Sequence, residues 1–125
     1  MDQQQPDNVL VVDDDAAVRT LVRATLSARG VRVTEAGNGQ LGLDEVRRAP
    51  GQFDLILMDY HMPELDGIRA AQAMRACAPG APVVLMSTED LSPQLEQIKV
   101  SGFLPKPFRA QQLIQLVDSH LQRRS

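Results

Sequence analysis

Short, unbroken apolar runs recur along this chain, and stretches with helical spacing separate them. Val9–Val12, Leu55–Met58 and Val83–Met86 are three such runs, and none of them contains a polar residue. Strands of this kind are typical of a parallel sheet covered by helices on both faces, because every side chain is then buried. The alternation therefore predicts an α/β fold built from βα units.

Five βα units fit the sequence. The second strand pattern alternates between apolar and polar residues, which suits an edge strand with one wetter face. The first pattern is wholly apolar and suits a central strand. The predicted strands are Val9–Val12, Val31–Thr34, Phe53–Met58, Val83–Met86 and Phe103–Leu104.

The first predicted helix begins at a cap formed by Asp14 or Asp15, and Gly30 ends it in a left-handed turn. Gly42 weakens the second helix by about 1 kcal/mol relative to alanine. Ser92-Pro93 is a good start for a short fourth helix. The apolar faces of the five helices are Val18, Leu21, Val22 and Leu26; Leu43 and Val46; Ile68, Ala71 and Met74; Leu95 and Ile98; and Leu113, Ile114, Val117 and Leu121.

The composition excludes several classes of protein. A length of 125 residues suits one domain, and a net charge of −3 without tryptophan or a basic run offers nucleic acid no binding groove. No signal peptide and no membrane-spanning run are evident, and the lone Cys77 cannot form an internal disulfide. We therefore expect a cytoplasmic protein without direct contact to nucleic acid or membrane.

Residues suited to phosphate chemistry follow the strand patterns. Asp13 and Asp14 follow the first strand, Asp59 the third, Ser87 the fourth and Lys106 the fifth. The carboxyl ends of neighbouring parallel strands face one crevice, so we expect these side chains to converge. Carboxylates beside a cation predict a site for magnesium and a phosphoryl group.

The roles of these residues follow from their chemistry. Asp59 is the candidate nucleophile, because a carboxylate can form an acyl phosphate when cations neutralise the incoming oxygens. Ser87 would donate a hydroxyl hydrogen bond to the phosphoryl group, and Lys106 would supply a compact positive charge. A cis bond between Lys106 and Pro107 is a further hypothesis.

Four ordered motifs together resemble the receiver domain of two-component response regulators, the CheY-like family. They are Leu10–Asp15, Asp54–Gly67, Ser87 and Lys106–Phe108. The resemblance implies a flavodoxin-like (βα)5 fold, doubly wound, with a five-stranded parallel sheet in the order 2-1-3-4-5. It also implies a receiver domain over residues 8–122, between a disordered tail at 1–7 and a short end at 123–125.

The resemblance implies a site in which Asp59 is the phosphoacceptor, assisted by Ser87 and Lys106. Mg²⁺, with Mn²⁺ as an alternative, would be bound directly by Asp14, Asp59 and the backbone carbonyl of His61. Asp13 would act on the metal through water. By the same resemblance, the domain is a signalling module rather than an enzyme, although it catalyses its own phosphorylation and dephosphorylation.

Partners and switching also follow from the resemblance. A sensor histidine kinase or phosphotransfer protein would donate the phosphoryl group. Ser87 and Phe103 would then switch the face formed by the fourth helix, fifth strand and fifth helix. That face would bind a downstream protein target or a fused output domain, or would mediate a phosphorylation-dependent homodimer.

Three residues beside the site are expected to tune the rates. Thr88 stands where the family usually has a small alanine or glycine, so its bulk would slow phosphotransfer or hydrolysis. His61 and Glu89 would flank the route of the attacking water. The interval from Ser87 to Lys106 is about one helical turn shorter than in the family, which makes the output face the least transferable part.

Two other interpretations remain open from the sequence. Asp13 and Asp15 fit the Asp-x-Asp opening of haloacid-dehalogenase-type phosphatases, but only Asp118 follows the lysine where those enzymes need an acidic pair. Thr88 and the short fourth helix instead favour an interaction module that no longer accepts phosphate. A flavin site is disfavoured, because acids after the first strand repel phosphate.

Overall fold

The computed structural model describes residues 7–61, 67–91 and 100–121. Strands and helices alternate through these residues, which confirms the predicted α/β class. The predicted fourth helix, beginning at Ser92-Pro93, lies outside the described residues. The described elements are β1 (Asn8–Val12), α1 (Ala16–Ser27), β2 (Arg32–Ala36), α2 (Gly39–Arg48), β3 (Leu55–Asp59), α3 (Gly67–Cys77), β4 (Val83–Ser87), β5 (Gly102–Pro105) and α4 (Ala110–Leu121).

The strands form one parallel sheet in the order β2-β1-β3-β4-β5. This confirms the predicted strand order and the edge position of the second strand. That strand begins and ends later than predicted, because its pairing with β1 continues to Val12 and Ala36. The order brings the carboxyl ends of β1, β3, β4 and β5 side by side.

The sheet separates two apolar clusters, and successive residues of each strand point into opposite ones. On β1, Leu10 and Val12 face the cluster that includes α2 and α3. Val9 and Val11 face the other cluster, which includes α1 and α4. Burial on both sides explains why β3 and β4 contain no polar residue before their last position.

Helix α1 begins and ends where its sequence indicates, but the predicted burial of one residue on its apolar face is wrong. Asp15 caps it by accepting a hydrogen bond from the Ala17 amide, and Gly30 has the left-handed φ of 80°. Leu21, predicted to be buried, is 38% exposed. Each helical residue turns by about 100°, so Leu21 lies at the margin of a stripe centred on the fully buried Val22.

Helix α2 contains a glycine that the packing requires. A Cβ atom on Gly42 would lie 2.7 Å from Cγ2 of Val12 and 3.0 Å from Cε of Met74. Gly42 was predicted only as a weakness of this helix. In the fold it allows α2 to approach β1 and α3 closely, which accounts for its place in a helix interior.

The other predicted faces that lie within the described residues agree with the structure in their central residues. Ala71 and Met74 of α3 are buried, as are Leu113 and Val117 of α4. No helix among the described residues combines the length and apolar character needed to cross a lipid bilayer.

Candidate functional site

The candidate site lies at the carboxyl ends of four neighbouring strands. Val12 pairs with Met58 in the register of β1 and β3, so the residues that follow them, Asp13 and Asp59, lie side by side. Asp59 pairs with Met86 in β4, and Ser87 pairs with Pro105 in β5. Parallel pairing therefore brings together residues that are far apart in the sequence.

Lys106 joins the two buried acids of this cleft. Its Nζ lies 2.7 Å from Oδ2 of Asp13 and 3.1 Å from Oδ1 of Asp59. The side chain of Asp13 is fully buried, and that of Asp59 is 5% exposed. The bond from Lys106 to Pro107 is cis, as hypothesised from the sequence. One ammonium thus faces two carboxylates in a largely dry cleft.

The charges in the cleft shift one another's pKa values. Burial, followed by repulsion from Asp13, raises the pKa of the Asp59 carboxyl above its ordinary value, and hydrogen bonds from Lys106 and the His61 amide only partly offset this. Burial acts to lower the pKa of the Lys106 ammonium, but hydrogen bonds and attraction to Asp13 and Asp59 outweigh it, so that pKa is raised. The cleft therefore has an excess of negative charge.

The three acids are compatible with a magnesium site. Asp13, Asp14 and Asp59 each offer an oxygen, and these atoms lie within 4.8 Å of one another. Oxygens bound to one Mg²⁺ at about 2.1 Å are separated by up to about 4.2 Å, so the observed spacing is close to what the ion needs. Asp14 is exposed, which leaves room for the waters that Mg²⁺ retains.

Ser87 lies at the end of β4 with its hydroxyl already engaged as an acceptor. The side chain is buried, and Oγ accepts a hydrogen bond from the Glu89 amide at 2.9 Å. Its carbonyl accepts another from the Lys106 amide at 2.8 Å. A hydroxyl has one proton to donate, so that of Ser87 is left for an incoming oxygen.

The side chains of His61 and Glu89 make a contact that the sequence did not predict. Nε2 of His61 lies 3.0 Å from Oε2 of Glu89, and both side chains are more than half exposed. The ring of Tyr60 packs edge-on against that of His61, with their centroids 4.7 Å apart. The segments following β3 and β4 are thereby joined at the rim of the cleft.

Thr88 and Phe103 occupy different surroundings. Thr88 is exposed and helps to line an apolar groove of about 330 Å³ beside Lys106. Phe103 pairs with Leu85 in the register of β4 and β5, and it is half-buried against the core. Phe103 thus contributes to packing, as its residue type alone would suggest.

A second cation, the guanidinium of Arg19, contacts the backbone of the acidic segment that follows β1. Nη1 of Arg19 lies 2.6 Å from the backbone carbonyl oxygen of Asp13, and its Nε lies 3.1 Å from Oε1 of Glu35. The sequence analysis did not single out Arg19 or Glu35. Nothing in the local pattern distinguishes them from other charged residues on a solvated helix and an edge strand.

Comparison with known proteins gives a consistent result. A sequence model described as "Response regulator receiver domain" matches residues 9–118. Response regulator MprA of Mycolicibacterium vanbaalenii is 32% identical over 121 residues, which cover 94% of this chain and 52% of that protein. Two-component response regulator ORR41 of Oryza sativa subsp. japonica is 34% identical over 110 residues, covering 84% of this chain and 87% of that protein.

Among solved structures, that of chemotaxis protein CheY4 of Vibrio cholerae is similar to this chain. It superposes with a TM-score of 0.86 at 28% identity, over 94% of this chain and 100% of that one. The chain thus spans about half the length of MprA but nearly the whole of CheY4.

Proposed function

The chain belongs to the response regulator receiver domain family, and on that premise we propose that Asp59 accepts a phosphoryl group from a phosphohistidine donor. The observation that carries the proposal is the position of Lys106 Nζ, 2.7 Å from Asp13 and 3.1 Å from Asp59. A carboxylate nucleophile, a cation and further acids thus share one cleft.

The chemistry assigns a separate task to each side chain. A carboxylate oxygen of Asp59 attacks the phosphorus in line with the donor imidazole, and the phosphorus–nitrogen bond breaks as the new phosphorus–oxygen bond forms. The Lys106 ammonium neutralises charge on the phosphoryl oxygens, and Ser87 donates its hydroxyl proton to one of them. The domain would act only on its own aspartate, in both phosphorylation and dephosphorylation.

Mg²⁺ is the cofactor that suits this set of oxygens, and Mn²⁺ has the same ligand preference. Asp14, Asp59 and the carbonyl of His61 would hold the ion, with Asp13 acting through water. When bound, it supplies positive charge that the cleft otherwise lacks. The His61 imidazole is engaged with Glu89 and has no part in this ligand set.

We assign the lifetime of the phosphoryl group to the rim of the cleft. The contact between His61 and Glu89 would restrict the approach of water to Asp59 from one side. Thr88 adds bulk beside Lys106 on the other. These contacts support a role for the three residues in setting the rates of phosphotransfer and hydrolysis.

The switch follows from the added charge. A phosphoryl group adds about −1.5 to −2 charges, which would draw the Ser87 hydroxyl away from the Glu89 amide. Phe103, half-buried in the neighbouring strand, would adjust to the space that Ser87 leaves. The surface that includes β5 and α4 would then bind a downstream protein or fused output domain, or a second copy of the chain.

The apolar groove beside the cleft supports a protein as the phosphodonor. Val18 and Leu21 of α1 face Pro107 and Phe108 across it, and Lys106 lies at its end. A histidine kinase or phosphotransfer protein that covers this groove with an apolar helix would bring its phosphohistidine close to Asp59. Because these proposed partners act in the cytoplasm, we expect this protein to act there as well.

The groove can be tested with a matched pair of variants. Leu21 and Leu41 are both exposed leucines, on α1 and α2 respectively, and only Leu21 lines the groove. Against a panel of purified phosphorylated histidine kinases, Leu21→Glu should slow phosphotransfer and Leu41→Glu should not. Equal rates for both variants would exclude the groove, and phosphorylation by acetyl phosphate should be unaffected in either.

Intact-protein mass spectrometry after incubation with acetyl phosphate and Mg²⁺ tests the central proposal. The wild-type chain should gain one phosphoryl group, Asp59→Asn should gain none, and the surface variant Asp44→Asn should behave as wild type. A wild-type chain that gains nothing would indicate an interaction module that no longer accepts phosphate. An adduct on Asp13 would indicate phosphatase-like chemistry, although Asp118, the acid that follows the lysine, lies on α4 in an ion pair with Arg29.

A further inference from the structure

A network of charged side chains, outside the cleft that contains Asp59 and Lys106, contacts the backbone of the acidic segment Asp13–Asp15. Arg19 of α1 donates from Nε to Glu35 of β2 and from Nη1 to the carbonyl of Asp13. Arg23, one turn further along the same helix, donates to the other oxygen of Glu35. Arg19 therefore links an edge strand to the first of the candidate metal ligands.

The carbonyl that Arg19 holds belongs to the peptide group between Asp13 and Asp14. The Oδ1 atom of Asp13 accepts a hydrogen bond from the Asp15 amide. The backbone amide of Asp13 donates to the carbonyl of Ala36 at 3.1 Å. With the Arg19 contact at 2.6 Å, the backbone on both sides of Asp13 is fixed. A hydrogen bond from a charged donor is among the stronger ones in proteins.

The direction of the Asp14 side chain depends on this peptide group more than that of Asp13 does. Its side chain is exposed and makes no hydrogen bond to another described residue. The orientation of the preceding peptide group is then the main constraint on where its carboxylate points. If that group turns, the oxygen that Asp14 offers to a metal moves away from Asp13 and Asp59.

We infer that Arg19 is a positioning residue for the metal site, held in its own orientation by Glu35. This inference rests on the proposed function, because it concerns the Mg²⁺ affinity of the same cleft. Residues that orient metal ligands without touching the metal commonly affect affinity by about 10- to 100-fold.

Charge and position predict opposite results for this residue. A guanidinium near the acids repels a divalent cation, so the loss of its charge would by itself tighten Mg²⁺ binding. The loss of its hydrogen bond to the Asp13 carbonyl would instead weaken binding, because the ligands would no longer be held in place. Arg19→Lys separates the two effects further, since lysine keeps the charge but cannot bond to Glu35 and the Asp13 carbonyl through two fixed nitrogens.

The experiment is a Mg²⁺ titration of the full chain, followed by calorimetry and by the fluorescence of Tyr60, the only tyrosine in a chain without tryptophan. Arg19→Gln and Arg19→Lys should both bind Mg²⁺ about 10- to 100-fold more weakly than wild type. Arg23→Gln is the matched control, because it removes the same charge and contacts Glu35 but not Asp13. It should bind as wild type.

Binding by Arg19→Gln that equals or exceeds that of Arg23→Gln would overturn the inference. If Arg19→Gln does not fold, the comparison of Arg19→Lys with Arg23→Gln decides in the same way. A wild-type chain that binds no Mg²⁺ would instead overturn the proposed function. Unchanged affinity in the Arg19 variants, beside a wild type that binds, would overturn only the role of Arg19.

Discussion

The cleft that contains Asp13, Asp59 and Lys106 and the adjoining flank, formed by Arg19, Arg23 and Glu35, are built from the same kinds of charge in opposite proportions. In the cleft, one ammonium faces the carboxylates of Asp13 and Asp59, and the pKa of Asp59 is raised. On the flank, Arg19 and Arg23 face the single carboxylate of Glu35, and the pKa of Glu35 is lowered, chiefly by the hydrogen bond from Arg23.

This contrast separates charges that stabilise the fold from charges that it tolerates. On the flank, two guanidinium groups more than compensate the one carboxylate, whereas in the cleft the carboxylates outnumber the ammonium until a cation or a proton is added. Sites of this kind are retained for what they bind, at a cost to stability. The predictions below test that distinction.

The largest expected effect is on the rate of phosphorylation when the cleft loses its cation. Lys106→Met should slow phosphorylation of Asp59 by acetyl phosphate by about 100- to 1000-fold, because it removes a donor aimed at the developing charge. Time courses by intact-protein mass spectrometry measure this rate. Arg29→Met, which removes a cation from the exposed ion pair with Asp118, should leave it unchanged. A loss of only a few-fold for Lys106→Met would contradict the role given to the ammonium.

Mg²⁺ should then stabilise the cleft by mass action. At a free concentration about 100 times its Kd, the ion should raise the free energy of unfolding by about 2.7 kcal/mol, provided that it does not bind the unfolded chain. Urea denaturation with and without Mg²⁺, at matched ionic strength, measures the difference. Asp14→Asn should lose most of the gain, and an equal gain in that variant would argue against Asp14 as a ligand.

Removing the Asp59 carboxylate should stabilise the protein when no metal is present. Because folding raises the pKa of Asp59 above about 3.8, its charged form opposes folding at neutral pH, and the penalty disappears as the pH falls towards that value. Asp59→Asn should therefore raise the free energy of unfolding by about 1 kcal/mol at pH 7 and by much less at pH 4. Urea denaturation at the two pH values checks this, with Asp44→Asn as the surface control. Destabilisation at pH 7 would show that the cleft is not strained.

The smallest expected effect has the opposite sign and belongs to the flank. The lowered pKa of Glu35 means that its charge favours folding above about 4.5, and that this contribution is lost as the pH falls through the folded-state value. Since the ion pairs are partly exposed, Glu35→Gln should destabilise by only about 0.5 kcal/mol at pH 7, and less in high salt. A gain in stability like that of Asp59→Asn would remove the contrast between the two regions.

The residue pattern predicted the strands, the edge position of β2 and the convergence of the acidic residues with Lys106, and the family resemblance supplied the full strand order. The features predicted from the pattern depend on continuous apolar runs and on the fixed geometry of parallel pairing, both of which can be read locally. The end of β2 was misplaced, because its length is set by pairing with β1 rather than by its own pattern.

Other features could not be predicted, because they depend on distances between elements. The exposure of Leu21 reflects the angular margin of a helix face, and the need for glycine at position 42 reflects the approach of Val12 and Met74. The contact of His61 with Glu89 and that of Arg19 with Asp13 join residues whose separation is decided by the fold.

The division of the interior by the sheet has a practical consequence for redesign. Leu10 and Val9 are neighbours in the chain, yet among the described residues they belong to separate clusters on opposite faces of the sheet. Substitutions more than about 7–10 Å apart without shared partners usually have additive effects on stability. One half of the interior can therefore be repacked for stability while the other half is left unchanged.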